Sequence, residues 1–341
     1  MMKVLSLFSG IGAFEKALDN LGCEYEIANY CEIDKFVSYA YSVLHKIDES
    51  KNLGDISKVD TNKIDSIDLV TYGFPCQDIS LAGERKGIIK GKTRSGLLYE
   101  ALRVIEDKKP KVAIAENVKN LVSKMFIKDF ENLLSILDKL GYNSYWKILN
   151  SKDYGSVQSR ERVFIVSIRK DVDNGRFNFP PVIPNNRKLS EVLDIKVPNK
   201  YYCKDNSYFN SFIKDVKRKI VNFKKPSQYG VLKVGEINNP NMLDMNKRVF
   251  LDDGLSPTLL TGSDSIPKIL QIRVRKLTPL ECWRATGFED EDYCKVRIAL
   301  EEKFYNGKDM TDTQMYKMAG NSIVVEVIEK ILNELINKEI I

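Results

Sequence analysis

The chain has 341 residues, 43% hydrophobic and 29% charged, with a net charge of +6, which excludes disordered and fibrous classes and permits a nucleic-acid partner. No run of about 18 apolar residues occurs, so no membrane span is expected, and the apolar start lacks a signal-peptide cleavage site, so a cytoplasmic protein is expected. Six cysteines without a C-x-x-C pair and a single histidine, His45, argue against a metal site, a disulfide framework and Ser-His or Cys-His hydrolysis.

The length suits one large domain with a smaller companion. Residues 3–8 read as a strand, Ser9-Gly10-Ile11-Gly12 as a glycine turn and Ala13–Leu21 as a helix. This is the opening of a nucleotide-type fold, although two glycines also suit a plain tight turn. Glu26–Cys31 reads as a second strand ending in Glu32-Ile33-Asp34. An acid about 20 residues after a glycine turn is where a ribose hydroxyl pair is gripped. Asp34 fits better as a helix N-terminal acid. The next helix, Phe36–Leu44, continues into His45, which sits among Tyr41, Leu44 and Ile47 and reads as structural. In Gly54-Asp55-Ile56, the carboxylate of Asp55 could accept from an adenine amino group or cap a turn.

Asp68–Ser80 is the stretch that organises the rest. Its first half has the composition of a buried strand, and it then meets Gly73, Pro75 and Cys76. A strand stopping there leaves Cys76 at the sheet's carboxyl edge, where open α/β sheets keep their ligands. Pro75 stiffens the backbone on both sides of itself. Cys76 is a candidate nucleophile; the alternative is a small inert core residue. The polar, basic loop Gln77–Gly96, with Arg85, Lys86, Lys90, Lys92 and Arg94, suggests a lid over an anionic polymer or else a solvated loop.

Helix Leu97–Glu106 leads to strand Lys111–Ala115 and the polar cluster Glu116-Asn117-Val118. Asp129–Leu140 reads as a helix, and Tyr145–Leu149 and Val163–Ile168 as paired strands. Between those strands lies Gln158-Ser159-Arg160-Glu161-Arg162. Two arginines two apart on extended chain face one side, as surface charge or as holders of planar groups and phosphates. From about Asn178 prolines and lysines break the pattern, and a domain boundary is placed near 180. The irregular, basic region to about 270, with Lys214–Lys225 and Tyr201, Tyr202, Tyr208 and Phe209, suits nucleic acid or a protein-binding insert. Thr278-Pro279 starts a helix over Glu281–Ala285. Tyr293–Tyr305 reads as helical. Gly320-Asn321-Ser322 precedes a last apolar helix, Ile323–Ile336.

Eight of these pieces, in order, resemble the DNA cytosine-5 methyltransferase family. They are Phe8-Ser9-Gly10-Ile11-Gly12, Glu32-Ile33-Asp34, Gly54-Asp55-Ile56, Gly73-Phe74-Pro75-Cys76-Gln77, Glu116-Asn117-Val118, Gln158–Arg162, Arg275–Glu281 and Gly320-Asn321-Ser322. The resemblance implies an α/β fold. A Rossmann-like S-adenosyl-L-methionine-dependent core would span 1–180, completed by 317–341. A smaller, irregular target-recognition domain would span 181–275, with hinge and connecting helices over 276–316. It further implies that Phe8, Ser9, Gly10, Gly12, Gly73, Pro75, Asn321 and Ser322 line the cofactor. Glu32 would take the ribose hydroxyls, Ile33 would pack on the adenine in place of the family's larger aromatic, Asp55 and Ile56 would contact the adenine, and Leu98 would close that pocket. Gln77, Ser80, Arg85 and Thr258 would meet the DNA. The implied partner is double-stranded DNA, with a cognate restriction endonuclease as a further candidate, and the implied state is a monomer.

The chemistry of cytosine supports this resemblance. C5 is a poor nucleophile until a thiolate adds at C6, a role that fits Cys76. Charge then develops toward N3 and O2. Glu116 fits the acid at N3, provided it is protonated there. Arg160 fits O2, Arg162 a positioning role on Glu116 or a phosphate, and Asn117 the loop or the exocyclic amine. The ring faces are out of reach inside a duplex, so the base must be flipped out. The rival readings are a tRNA cytosine-5 methyltransferase of the same fold, a catalytically silent nucleic-acid-binding relative, and a dinucleotide oxidoreductase that would leave Pro-Cys-Gln unexplained.

Overall fold

The computed structural model describes residues 1–79, 87–203, 230–240, 242–261, 266–270 and 274–341. They form two compact units. One holds Met1–Leu149, Glu161–Pro181 and Val327–Ile341; the other holds Asn150–Arg160 and Val182–Glu326. The segment expected as hinge and connecting helices, 276–316, lies inside the second unit.

The first unit is built on a six-stranded sheet in the order β2-β1-β3-β4-β6-β5. The strands are β1 (Met2–Leu7), β2 (Tyr25–Cys31), β3 (Leu69–Tyr72), β4 (Val112–Val118), β5 (Tyr142–Asn150) and β6 (Glu161–Arg169). The pairs β1–β2, β1–β3 and β3–β4 are parallel, and β4–β6 is antiparallel. Parallel strands need crossovers, supplied here by α1 (Ala13–Asn20), α2 (Lys35–His45) and α3 (Leu98–Lys108). The chain steps from β1 to β2 on one side and returns to β3 on the other. That reversal makes the carboxyl ends of β1 and β3 the sheet's switch point, where open α/β sheets bind ligands. Helix α4 (Ile127–Lys139) follows β4. Leu5, Val70, Ala113 and Ile165 of the strands share one apolar cluster with Leu102, Ile105, Phe130 and Leu133 of the helices.

The second unit contains a small sheet in the order β10-β9-β8-β7, from β7 (Lys233–Glu236), β8 (Arg248–Phe250), β9 (Lys268–Leu270) and β10 (Val274–Lys276). These strands of three or four residues are too short to show alternation, so the region reads as irregular in sequence. Its longer helices among the described residues are α5 (Pro279–Arg284), α6 (Asp290–Tyr305) and α7 (Asp312–Asn321). The last helix, α8 (Val325–Asn337), crosses from the second unit into the first. Among the described residues no helix is long and apolar enough to cross a membrane.

Candidate active site

The carboxyl ends of β1, β3 and β4 carry Phe8–Gly12, Gly73–Gln77 and Glu116-Asn117 of the expected site. Beyond β1 the chain turns sharply: Phe8, Gly10 and Gly12 all have positive φ, at 55°, 55° and 76°. Gly10 and Gly12 take that conformation without strain, whereas Phe8 pays for it. Ser9 N–H donates to the Cys31 carbonyl at 3.0 Å, tying the turn to the end of β2. A Cβ on Gly12 would lie 2.0 Å from His45 Nε2. That nitrogen is 3.0 Å from the Ile11 carbonyl, so the single histidine braces the turn.

Glu32 follows β2. Its Oε2 accepts from Gly10 N–H at 3.1 Å and its Oε1 from Asp34 N–H at 2.9 Å. Burial pushes its carboxyl up, while these two N–H groups pull it down. Asp34 caps α2 by accepting from Phe36 N–H. The neighbouring Ile33 is 77% exposed, an apolar side chain set out at a strand end. Asp55 caps its own turn, accepting from Ser57 N–H and Oγ at 3.0 and 2.8 Å. Ile56 and Leu98 are buried in the apolar cluster, against which Phe8 and Cys76 also pack.

Cys76 is half-buried on a loop pinned at three carbonyls. Asn117 Nδ2 donates to Phe74 O at 3.0 Å, Ser95 Oγ to Pro75 O at 2.7 Å and Asn120 Nδ2 to Ile79 O at 2.6 Å. Asn117 thus holds the loop. Ser95 and Asn120 were not among the expected residues; a buried serine and a lone asparagine carry no pattern in sequence. A Cβ on Gly73 would stand 3.8 Å from Glu116 Oε2, so β3 and β4 bring the Cys76 loop and Glu116 together. Arg162 Nε lies 2.9 Å from Glu116 Oε1. Its N–H is misaligned with that oxygen, which has no hydrogen-bond partner.

Arg160 has other partners. It ends the Asn150–Arg160 segment of the second unit and is buried, its Nη1 donating to the carbonyls of Leu259 at 3.3 Å and Gly320 at 3.1 Å. Thr258 Oγ1 donates to Ser159 O at 3.1 Å. A Cβ on Gly320 would meet the Leu260 carbonyl at 2.6 Å, so only glycine lets these backbones approach. Asn321 is exposed and Ser322 buried just beyond it. Gln77 is exposed. Ser80, Arg85, Tyr208, Phe209, Lys214–Lys225 and Arg273 lie outside the described residues. Among those described, no cluster of His, Cys, Asp and Glu suits a metal.

The thiol of Cys76, the carboxyl of Glu116 and the guanidinium of Arg162 thus belong to the ends of β3, β4 and β6, neighbours in one sheet. The family profile described as C-5 cytosine-specific DNA methylase matches residues 2–337. The chain belongs to that family. This DNA cytosine methylase is 31% identical to the orphan methyltransferase M.SPBetaI of Bacillus phage SPbeta, over 98% of each chain. It is 32% identical to the type II methyltransferase M2.ScrFI of Lactococcus lactis subsp. cremoris, over 99% of this chain and all of that one. Among solved structures, the Entamoeba histolytica methyltransferase EhMeth matches the methylase's fold with a TM-score of 0.71 at 18% identity, over 99% of each chain. The S. pombe methyltransferase Dnmt2 does so at 0.65 and 17%, with the same coverage.

Proposed function

We propose that the enzyme methylates C5 of a flipped-out cytosine in a short DNA sequence, through a covalent bond between Cys76 Sγ and C6. The observation that carries this reading is Glu116 at the end of β4, beside Gly73 of the Cys76 loop, with Arg162 Nε 2.9 Å away. The type II names among the relatives support a restriction-modification setting and a cognate endonuclease as partner.

The cofactor side fits S-adenosyl-L-methionine. Glu32 offers its remaining lone pairs to the ribose hydroxyls, exposed Ile33 offers an apolar face to the adenine, and the glycine turn admits close backbone approach. When bound, the cofactor supplies an electrophilic methyl group on a sulfonium. The Cys76 thiolate adds to C6, and the electron pair displaced from the C5–C6 bond moves toward N3, where Glu116 delivers a proton. Return of that pair makes C5 nucleophilic toward the methyl. C5 takes the methyl as the S–CH3 bond breaks onto sulfur; loss of the C5 proton to a base then expels the Cys76 thiolate, and N3 returns its proton to Glu116, restoring the ring. Arg162, beside Glu116, takes O2, the role the resemblance gives to Arg160, whose Nη1 is committed to two carbonyls. Arg160 is a positioning residue in this reading.

The test is cytosine-conversion sequencing of DNA from a methylation-free bacterial host expressing the chain, with Cys76→Ala as control. Protected cytosines within one short motif, lost in the variant, are expected. No protected cytosine despite folded protein and bound cofactor would overturn the DNA reading and direct the same assay to tRNA.

A further inference from the structure

Asn52 stands two residues before Gly54, and all four hydrogen-bonding positions of its side-chain amide are taken within the first unit. Its Oδ1 accepts from Glu32 N–H at 3.0 Å and Gly54 N–H at 2.9 Å. Its Nδ2 donates to the Glu32 carbonyl at 2.8 Å and to Ser38 Oγ at 2.8 Å. A primary amide has two donor hydrogens and two acceptor sites, so nothing is left over. The orientation is fixed by the partners, because a flipped amide would set its NH2 group against two N–H donors.

The placement has a physical reason. Strand β2 ends at Cys31, so the backbone of Glu32 has left the sheet ladder. A partly buried peptide group there needs partners. The Asn52 amide, chemically a peptide group on a side chain, pairs with both the N–H and the C=O of Glu32, as a neighbouring strand residue would. The same oxygen then binds the N–H of Gly54, which opens the Asp55-Ile56 turn at φ 66°. One side chain therefore sets the distance between Glu32 and the Gly54–Ile56 turn.

We infer that Asn52 is a positioning residue for the cofactor, holding the ribose-binding carboxylate and the adenine-side turn in register without touching the ligand. The inference rests on the reading of Glu32 and Asp55-Ile56 as the adenosine site. Only an amide meets the pattern. An aspartate has the same shape but no donors, and would set a carboxylate oxygen against the Glu32 carbonyl.

The experiment measures S-adenosyl-L-homocysteine binding by calorimetry, and steady-state methyl transfer to DNA of the native target, for the full chain and for Asn52→Asp, Asn52→Ala and Glu32→Ala. Asn52→Asp is expected to weaken ligand binding about tenfold or more, the scale of one or two lost hydrogen bonds. It should raise the KM for the cofactor while kcat at saturating cofactor and the KM for DNA stay near wild type. Asn52→Ala introduces no charge and serves if Asn52→Asp does not fold. If Glu32→Ala weakens binding but both Asn52 variants bind as wild type, the positioning role is overturned and the ribose site stands. If Glu32→Ala itself binds as wild type, the ribose reading fails first. A fall in kcat with an unchanged cofactor KM would also overturn the role.

Discussion

Arg162 reaches Glu116 diagonally across two antiparallel strands: Glu116 pairs with Phe164 in register and Val118 with Arg162, and Nε stands 2.9 Å from Oε1. Glu116 and Val118 share a face of β4, as Arg162 and Phe164 do of β6, because side chains alternate with period two. The guanidinium is held back by Nη1 donating to the Glu161 carbonyl at 2.8 Å. Lys119 pairs with the Glu161 carboxylate at 3.1 Å, which keeps that acid occupied elsewhere.

Arg162→Lys is therefore expected to lower single-turnover methyl transfer by about 10²–10³-fold, the usual cost of one donor to developing charge. Lysine retains the charge but loses the planar fork. Cofactor affinity should not change, since neither Arg162 nor Glu116 meets the adenosine side. A single-turnover rate within about threefold of wild type would remove Arg162 from stabilisation of the reacting base.

Glu32 gives a pH dependence of definite sign. Burial holds its carboxyl above the ordinary 4.5, and the ionised form is the one with lone pairs free for ribose hydroxyls. Lowering the pH through that raised value protonates the group, so cofactor affinity should fall at a pH where an ordinary glutamate is still charged. Stability of the ligand-free protein runs the other way. A carboxyl that binds its proton more tightly folded than unfolded contributes stability as pH falls through the window. Calorimetric affinity and ligand-free thermal melts over the same pH series should diverge. Affinity that stays flat down to about pH 4.5, the range of an unperturbed glutamate, would exclude ionised Glu32 from ribose binding.

The strands and turns of the first unit were legible because short runs rich in aliphatic and aromatic residues that end on glycine or an acid have few other readings. Leu69–Tyr72 before Gly73, and Tyr25–Cys31 before Glu32, are such cases. Arg160 and Arg162 were not separable by spacing. Their partners, the Leu259 and Gly320 carbonyls for one and Glu116 for the other, come from distant parts of the chain. Asn52, Ser95 and Asn120 were illegible for a related reason: they bind mainly backbone groups, which leave no mark in the sequence of their partners. Helix α7, Asp-Thr-Gln-Met-Tyr-Lys-Met-Ala-Gly-Asn, went unread because the Gly-Asn in its last turn has the composition of a turn.

Arg275 and Glu281 form a fully buried pair, with Nη1 to Oε2 at 2.7 Å and Nη2 to Oε1 at 2.8 Å. The carboxylate also accepts from Thr278 N–H at 2.7 Å and Asp194 N–H at 2.8 Å. Four donors on one carboxylate offset the cost of removing both charges from water. Glu281→Ala strands a buried guanidinium and should cost about 3–5 kcal/mol by chemical denaturation. A loss below about 1 kcal/mol would mean water or another acid replaces the carboxylate there.

Gly12 and His45 test the glycine turn after β1 by non-additivity. Gly12→Ala meets two separate penalties: a left-handed backbone, costing about 1–2 kcal/mol for an L residue, and a Cβ 2.0 Å from His45 Nε2. His45→Ala removes the second penalty at the expense of the imidazole's contact with the Ile11 carbonyl and its packing on Tyr41, ring centroids 4.6 Å apart. The double variant should be more stable than the sum of the singles, leaving little beyond the backbone cost and the lost histidine contacts. Cofactor affinity should recover with it, because the turn can then return to its native path. If the two substitutions add without coupling in thermal or denaturant unfolding, the turn relaxes around the new methyl by a route that does not involve His45.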